Sequence, residues 1–122
     1  MPRAIAVTIA AALLLGHAVG GLAQTRSPAA AKNPYNDDLL KMSPVERSTA
    51  LARAVGEWCI ATETFAMGIT ASGTSAGYAY WSVRCLDGSA YVVQLEPKGR
   101  GVTIDCETFR DNSGGKECFK KF

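Results

Sequence analysis

The alternation of apolar and polar positions downstream of Trp58 predicts a β-sheet. Apolar side chains recur at every second residue in four successive segments, and turns such as Asp87-Gly88 separate these segments. A period of two is characteristic of strands that bury one face. The positions on the predicted buried face are Cys59, Ala61, Glu63, Phe65, Met67 and Ile69 in the first strand, Ala79, Trp81, Val83 and Cys85 in the second, Tyr91, Val93 and Leu95 in the third, and Val102, Ile104 and Cys106 in the fourth.

The registers of these four segments agree with one another. If Phe65 lies opposite Ala79, and Val93 lies opposite both Trp81 and Ile104, all the apolar sets share one face of a four-stranded antiparallel meander. A slip of one residue would turn a strand's apolar set to the other face. The agreement of three hairpins therefore favours this sheet.

Before the strands, the pattern changes to that of a helix. Residues 43–46 have the sequence Ser-Pro-Val-Glu, which places a hydroxyl at the N-cap, proline at the first helical position and glutamate at the third. Gly56 provides a C-terminal stop after Val55. The predicted fold class is α+β, with one N-terminal helix packed on the four-stranded antiparallel meander.

The first 23 residues have the organisation of a secretory signal peptide. Arg3 supplies a positive charge, residues 4–15 are apolar except for Thr8, and small residues precede a predicted cleavage site after Ala23. An uncleaved membrane anchor is the alternative, but glycines and a histidine interrupt the second half of the apolar run. Residues 24–42 are predicted to be a flexible N-terminal arm, and residues 43–122 the folded domain.

All four cysteines follow this leader. An even count in a small exported chain favours two disulfides, because a limited core benefits from cross-links. In the predicted register Cys59 lies opposite Cys85, which leaves Cys106 for Cys118, although four cysteines allow two other connectivities. A zinc site is the less favoured alternative, because the spacings of 26, 21 and 12 residues include no close pair.

The composition excludes several chemistries. The one histidine, His17, lies in the leader, so the cleaved chain can form no Ser-His-Asp triad, Cys-His pair or histidine metal site. The net charge of +2 is too small to indicate nucleic acid as a partner, and no nucleotide-binding motif is present. We expect no metal, no cofactor and no enzymatic activity. Glu63, Asp105 and Glu107 leave a carboxylate-based hydrolase as the weakest alternative.

The face of the predicted sheet that points away from the helix is the most informative surface. Aromatic and polar side chains cluster there across the two central strands, as they do on protein-binding surfaces. Cross-strand pairing that merely stabilises the sheet explains them equally well. The predicted binding residues are Tyr78, Tyr80, Arg84, Val92 and Gln94.

Residues 43–105 resemble the helix-then-meander layout of PepSY-type periplasmic domains. The resemblance rests on the capped helix, on Tyr-Ala-Tyr-Trp-Ser-Val at 78–83, on the Asp87-Gly88 turn and on Tyr-Val-Val-Gln-Leu at 91–95. The four cysteines depart from the usual pattern of such domains. In composition the chain also resembles small exported proteins of alphaproteobacteria. The resemblance implies a non-enzymatic domain, which in some members inhibits a periplasmic protease.

These features predict a periplasmic or secreted binding or accessory protein. It would dock its sheet face on another exported protein or an envelope complex, with no nucleic acid as partner and no stable membrane insertion after cleavage. The alternative is an inhibitor of a periplasmic enzyme that inserts a loop such as residues 70–76 into a cleft.

Overall fold

A computed structural model describes residues 31–122 of the protein. Within this range three helices and four strands follow one another, and the strands form one antiparallel sheet in chain order. The α+β class and the four-stranded antiparallel sheet are therefore confirmed, whereas the expectation of one helix is wrong. The elements are α1 (Pro34–Lys41), α2 (Pro44–Val55), β1 (Ala61–Ile69), β2 (Ala79–Cys85), β3 (Ala90–Leu95), β4 (Gly101–Asp105) and α3 (Cys106–Asn112).

Helix α2 begins at the predicted capping box. The Glu46 N–H donates to Ser43 Oγ over 3.2 Å, and the Ser43 N–H donates to Glu46 Oε1 over 3.0 Å. Both bonds satisfy amide groups that the first helical turn leaves without partners. At the other end, the Thr103 hydroxyl of β4 donates to the Ala54 carbonyl over 2.9 Å. Helix α2 is thus fixed across one face of the sheet.

The first hairpin departs from the predicted register. Phe65 lies opposite Ser82 rather than Ala79, and the pairing of β1 with β2 is irregular between Ala61 and Glu63 and again between Ala66 and Gly68. An extra residue in one strand turns the following side chains to the other face. Phe65 consequently packs on the side of the sheet that faces away from α2.

Of the other two hairpins, one has the predicted register and one does not. Trp81 lies opposite Val93, as predicted. Val93 lies opposite Thr103, however, and Ile104 lies opposite Val92, so β4 is shifted by one residue from the predicted register. Ile104 therefore joins the face away from α2, while Thr103 reaches α2.

The sheet separates two apolar clusters, so the domain has three layers. The first cluster lies between the sheet and the helices α1 and α2, and the second lies between the sheet, α3 and the C-terminal segment. Buried residues of the first are Leu39, Leu51, Ala52, Cys59, Trp81, Val83, Cys85 and Val93. Buried residues of the second are Met67, Val92 and Phe109, with Phe65, Tyr80, Ile104, Cys106 and Cys118 packed against them.

Residues 34–41 form a helix within the segment 24–42 that the sequence predicted to be a flexible arm. Asn33 caps α1 by accepting a hydrogen bond from the Asn36 N–H, and both asparagines are buried. Leu39 belongs to the first apolar cluster. The predicted signal peptide, residues 1–23, and residues 24–30 of the arm lie outside the described residues. Within residues 31–122, no helix has the length and apolar character needed to cross a membrane.

The two disulfides join Cys59 to Cys85 and Cys106 to Cys118, the same pairs that the sequence favoured. The first links the segment before β1 to the end of β2. The second links the start of α3 to the C-terminal segment and holds that segment against the sheet.

Candidate functional site

The predicted binding face is not an open surface, because α3 and the C-terminal segment cover it. Val92 is fully buried in the second apolar cluster with Phe109 of α3. Near the end of the chain, the Phe119 N–H donates to Ser82 Oγ over 2.8 Å, and the Phe122 N–H donates to the Met67 carbonyl over 3.1 Å. The C-terminal segment therefore covers part of the face that the sequence predicted to bind a partner.

The five predicted binding residues are distributed among different environments. The Tyr80 ring contacts those of Phe109 and Phe122, with centroid distances of 5.8 and 5.2 Å, and Tyr80 and Gln94 line a common cavity. Arg84 Nε lies 3.4 Å from Glu63 Oε1, and its guanidinium covers the Phe119 ring. Tyr78 is half-buried just before β2. The structure thus brings Tyr80 and Gln94 together, buries Val92, and places Arg84 at a separate ion pair.

A different surface carries exposed apolar side chains, which we call the apolar patch: Val45, Trp58, Ile60 and Leu86. Their exposed fractions are 75%, 56%, 61% and 67%, respectively. Trp58 and Ile60 flank Cys59, and Leu86 follows Cys85, so three of the four surround one disulfide. The Leu86 N–H donates to the Ile60 carbonyl over 2.8 Å, which places these two residues side by side.

A groove of about 570 Å³ adjoins the apolar patch. It runs between α2 and the segment that enters β1, and both Val45 and Ile60 line it. Arg53 and Glu57 also line the groove and supply charge of both signs. An apolar surface with a polar rim is typical of protein–protein contact sites.

Trp58 is held in place although its side chain is exposed. Its ring lies edge-on to Tyr91 with 5.8 Å between centroids. The indole also lies directly over Gly56, where an added Cβ would come within 2.8 Å of Trp58 Cδ1. A fixed aromatic side chain loses little conformational entropy on binding, which makes Trp58 a suitable anchor.

The edge strand β1 is poorly suited to pairing with another strand. It carries an irregularity near each end, and the Met67 carbonyl within the second one is occupied by the Phe122 N–H. Such irregularities protect edge strands from adding a further strand. A partner at this end of the domain would therefore bind through side chains.

Two of the three carboxylates of the hydrolase alternative have structural contacts. Asp105 caps α3 by accepting hydrogen bonds from the Thr108 N–H over 2.9 Å and from the Thr108 hydroxyl over 2.7 Å. These two bonds, the first more strongly, hold the pKa of Asp105 below its usual value. Glu63 pairs with Arg84. In the part of the chain that the structure describes, no group of three or more His, Cys, Asp or Glu side chains could hold a metal ion.

The sequence contained a signal for the apolar patch that the strand pattern concealed. Trp58 and Ile60 are out of phase with the predicted buried set, and Leu86 directly precedes the Asp87-Gly88 turn. Large apolar residues at such positions lie outside the core face that the sequence predicted. Comparison with protein-family models, with curated proteins and with solved structures gave no significant match.

Proposed function

We propose that the protein is an exported, non-enzymatic binding or accessory protein that docks on another exported protein, or on an envelope complex, through the apolar patch. The observation that carries this proposal is that exposed Trp58, Ile60 and Leu86 surround the Cys59–Cys85 disulfide, with exposed Val45 lining the groove beside Ile60. Among residues 31–122, four of the seven exposed large apolar side chains belong to the patch. Contiguous exposed apolar surface commonly marks an interaction site.

Two further features support the proposal. The disulfides support an oxidising compartment, which agrees with the predicted signal peptide and a periplasmic or secreted location. The Cys59–Cys85 link also fixes the segments that carry Trp58, Ile60 and Leu86 relative to one another. A rigid patch binds without the entropic cost of ordering its own backbone.

The test is a charge introduced into the patch. The double variant Ile60→Glu/Leu86→Glu alters two exposed side chains, so we expect it to fold with a melting temperature close to that of the wild type. Leu40→Glu is the matched control, because Leu40 is 52% exposed on α1 and lies outside the patch. Tagged versions of all three proteins are used to capture partners from the exported fraction of the cell.

We expect the wild type and Leu40→Glu to capture the same partner in stoichiometric amounts, and the double variant to lose it. Purified partner should then bind the double variant at least tenfold more weakly than the wild type. A folded double variant with undiminished affinity would refute the patch as the docking site.

The inhibitor alternative, which the PepSY-type resemblance implies, rests on the loop between β1 and β2. Residues 71–74 of this loop are exposed, while the Gly77 N–H donates to the Thr70 carbonyl and closes its base. If the captured partner is a protease that loses activity on binding, Thr74→Trp should relieve inhibition, whereas changes in the patch should not. Relief by the patch variant alone would assign the inhibition to docking instead.

A further inference from the structure

A cavity of about 470 Å³ lies on the face of the sheet opposite α2. It is an open cleft bordered by the sheet, by α3, by the start of the β1–β2 loop and by the end of the chain. Most of its surface is apolar and comes from Ile69, Tyr80, Ile104, Phe109 and Phe122. Its volume is within the range of small-molecule sites, and its aromatic walls suit an apolar ligand.

The polar groups that line this cavity are neutral except for one ammonium group. Lys116 is the one charged side chain among the residues that line it, and Gln94 and Asn112 supply neutral amides. The Lys116 ammonium lies 5.5 Å from the centre of the Phe122 ring. Among the described residues, no carboxylate lies within 4.0 Å of it. A ligand carboxylate would supply the counter-charge that Lys116 lacks.

The walls of the cavity are fixed before any ligand arrives. The Cys106–Cys118 disulfide ties the C-terminal segment to the start of α3. The hydrogen bonds from Phe119 to Ser82 and from Phe122 to Met67 then hold that segment on the sheet. Since little has to be ordered on binding, even modest contacts can give measurable affinity.

We propose that this cavity binds a small amphipathic carboxylate, with its apolar body against Tyr80, Phe109 and Phe122 and its carboxylate at Lys116. The apolar lining recognises the body of the ligand, and the single ammonium selects an anion over a cation. The site is separate from the apolar patch, so each can be tested without the other.

Three ten-carbon probes that differ in the head group test the proposal: decanoate and decylamine, each below its micellar concentration, and decanol below its solubility limit. Titration calorimetry measures their affinities, and NMR chemical shifts of Tyr80 and Phe109 locate the binding. We expect decanoate to bind most tightly, decanol more weakly and decylamine least. A preference for decylamine, or equal binding of the three, would overturn the assignment.

Two variants and a control make the test specific. Lys116→Gln should weaken decanoate binding about fivefold to tenfold, as expected for loss of a partly exposed charge-assisted contact, and should leave decanol binding unchanged. Lys120→Gln is the control, because Lys120 pairs with Glu117 and does not line the cavity. Ala71→Trp, at an exposed lining position, should block all three probes. Equal affinity of decanoate for Lys116→Gln and Lys120→Gln would refute the role of Lys116, and unhindered binding to Ala71→Trp would place the probes elsewhere.

Discussion

Two buried asparagines connect α1 to the sheet. Asn33 Nδ2 donates to the carbonyls of Gly77 and Leu95 over 2.8 and 2.9 Å, and its Oδ1 caps the helix. Asn36 Oδ1 accepts a hydrogen bond from Trp81 Nε1 over 2.7 Å. Buried polar groups usually remain in a core only when they have partners, and here both ends of the Asn33 amide, the Asn36 carbonyl oxygen and Trp81 Nε1 have one. The position of α1 is consequently specific.

Asn33→Asp tests this connection. The carboxylate can still cap α1, but it cannot donate, so one buried and one partly buried carbonyl lose their partner and face a negative charge. We expect a loss of at least about 2 kcal/mol in the free energy of unfolding, measured by denaturant titration. Asn112→Asp at the exposed end of α3 is the control and should change it by less than about 0.5 kcal/mol. Equal effects of the two substitutions would contradict the role of Asn33.

Asp105 makes stability sensitive to acid. The Thr108 N–H lowers the pKa of this carboxylate from its ordinary value of 3.8. Its contribution is therefore complete above pH 3.8 and is lost as the pH falls through the lowered pKa of the folded state. Asp105→Asn retains a good N-cap that does not titrate. We expect it to unfold like the wild type at pH 7 and to lose stability less steeply below pH 3.8.

Asp105→Ala provides the comparison for this prediction. It removes the cap at every pH, so it should be less stable than Asp105→Asn at pH 7, and melting curves across the acid range would show both effects. If the wild type and Asp105→Asn lost stability equally steeply as the pH falls, protonation of Asp105 would not contribute to acid unfolding.

At the scale of elements, the parts predicted correctly are those with local signals. The capping box identified the start of α2, and the period of two identified all four strands. The bulges were not predictable, because each depends on a contact distant in sequence. The Thr62 hydroxyl donates to the Arg84 carbonyl at the first, and the Phe122 N–H bonds the Met67 carbonyl at the second. Once β1 contained an extra residue, the predicted face of Phe65 was wrong.

Helix α3 was missed for a related reason. It has only seven residues, too few for a helical period to be visible. Tertiary contacts stabilise it: Phe109 packs into the second cluster, and Cys106 is cross-linked to Cys118. The Asp105–Thr108 cap was the available local signal, but the alternating pattern had assigned Asp105 to the fourth strand.

The Cys106–Cys118 link should contribute substantially to this layer. Its closed loop is short, and the chain-entropy model assigns it about 3 kcal/mol. We expect Cys106→Ala/Cys118→Ala to lower the free energy of unfolding by that amount and to increase hydrogen exchange of the Phe119 and Phe122 amides. Unchanged protection of these amides would show that the segment docks without the cross-link.

At the scale of the molecule, both faces of the sheet are covered by other segments. The candidate binding surface therefore lies elsewhere than the sequence predicted. The prediction identified Tyr80 and Gln94, which do line a common cavity, but it treated the face as open because no local pattern showed that the C-terminal segment returns over it. The apolar patch was missed because three of its four members surround a disulfide rather than follow one strand. Surfaces assembled from separate segments require the tertiary fold.

The boundary of the folded unit gives a prediction for the whole chain. If α1 is part of the domain, a chain that begins at Ala31 should unfold cooperatively with a well-defined melting temperature. A chain that begins at Ser43 lacks the buried Leu39, the Asn33 bonds to Gly77 and Leu95, and the partner of Trp81 Nε1. Truncating one buried leucine to alanine already costs about 2–5 kcal/mol, so a domain of this size should not tolerate losing the whole helix.

The comparison of these two chains by calorimetry and near-ultraviolet circular dichroism separates the two descriptions of residues 31–42. We expect the shorter chain to lose the near-ultraviolet signal of Trp81 and its cooperative transition, because the first apolar cluster is then open on one side. Adding a synthetic peptide of residues 31–42 should restore part of that signal through the same contacts. If the chain that begins at Ser43 melted like the longer one, residues 31–42 would be a dispensable arm after all, and the folded domain would begin at residue 43.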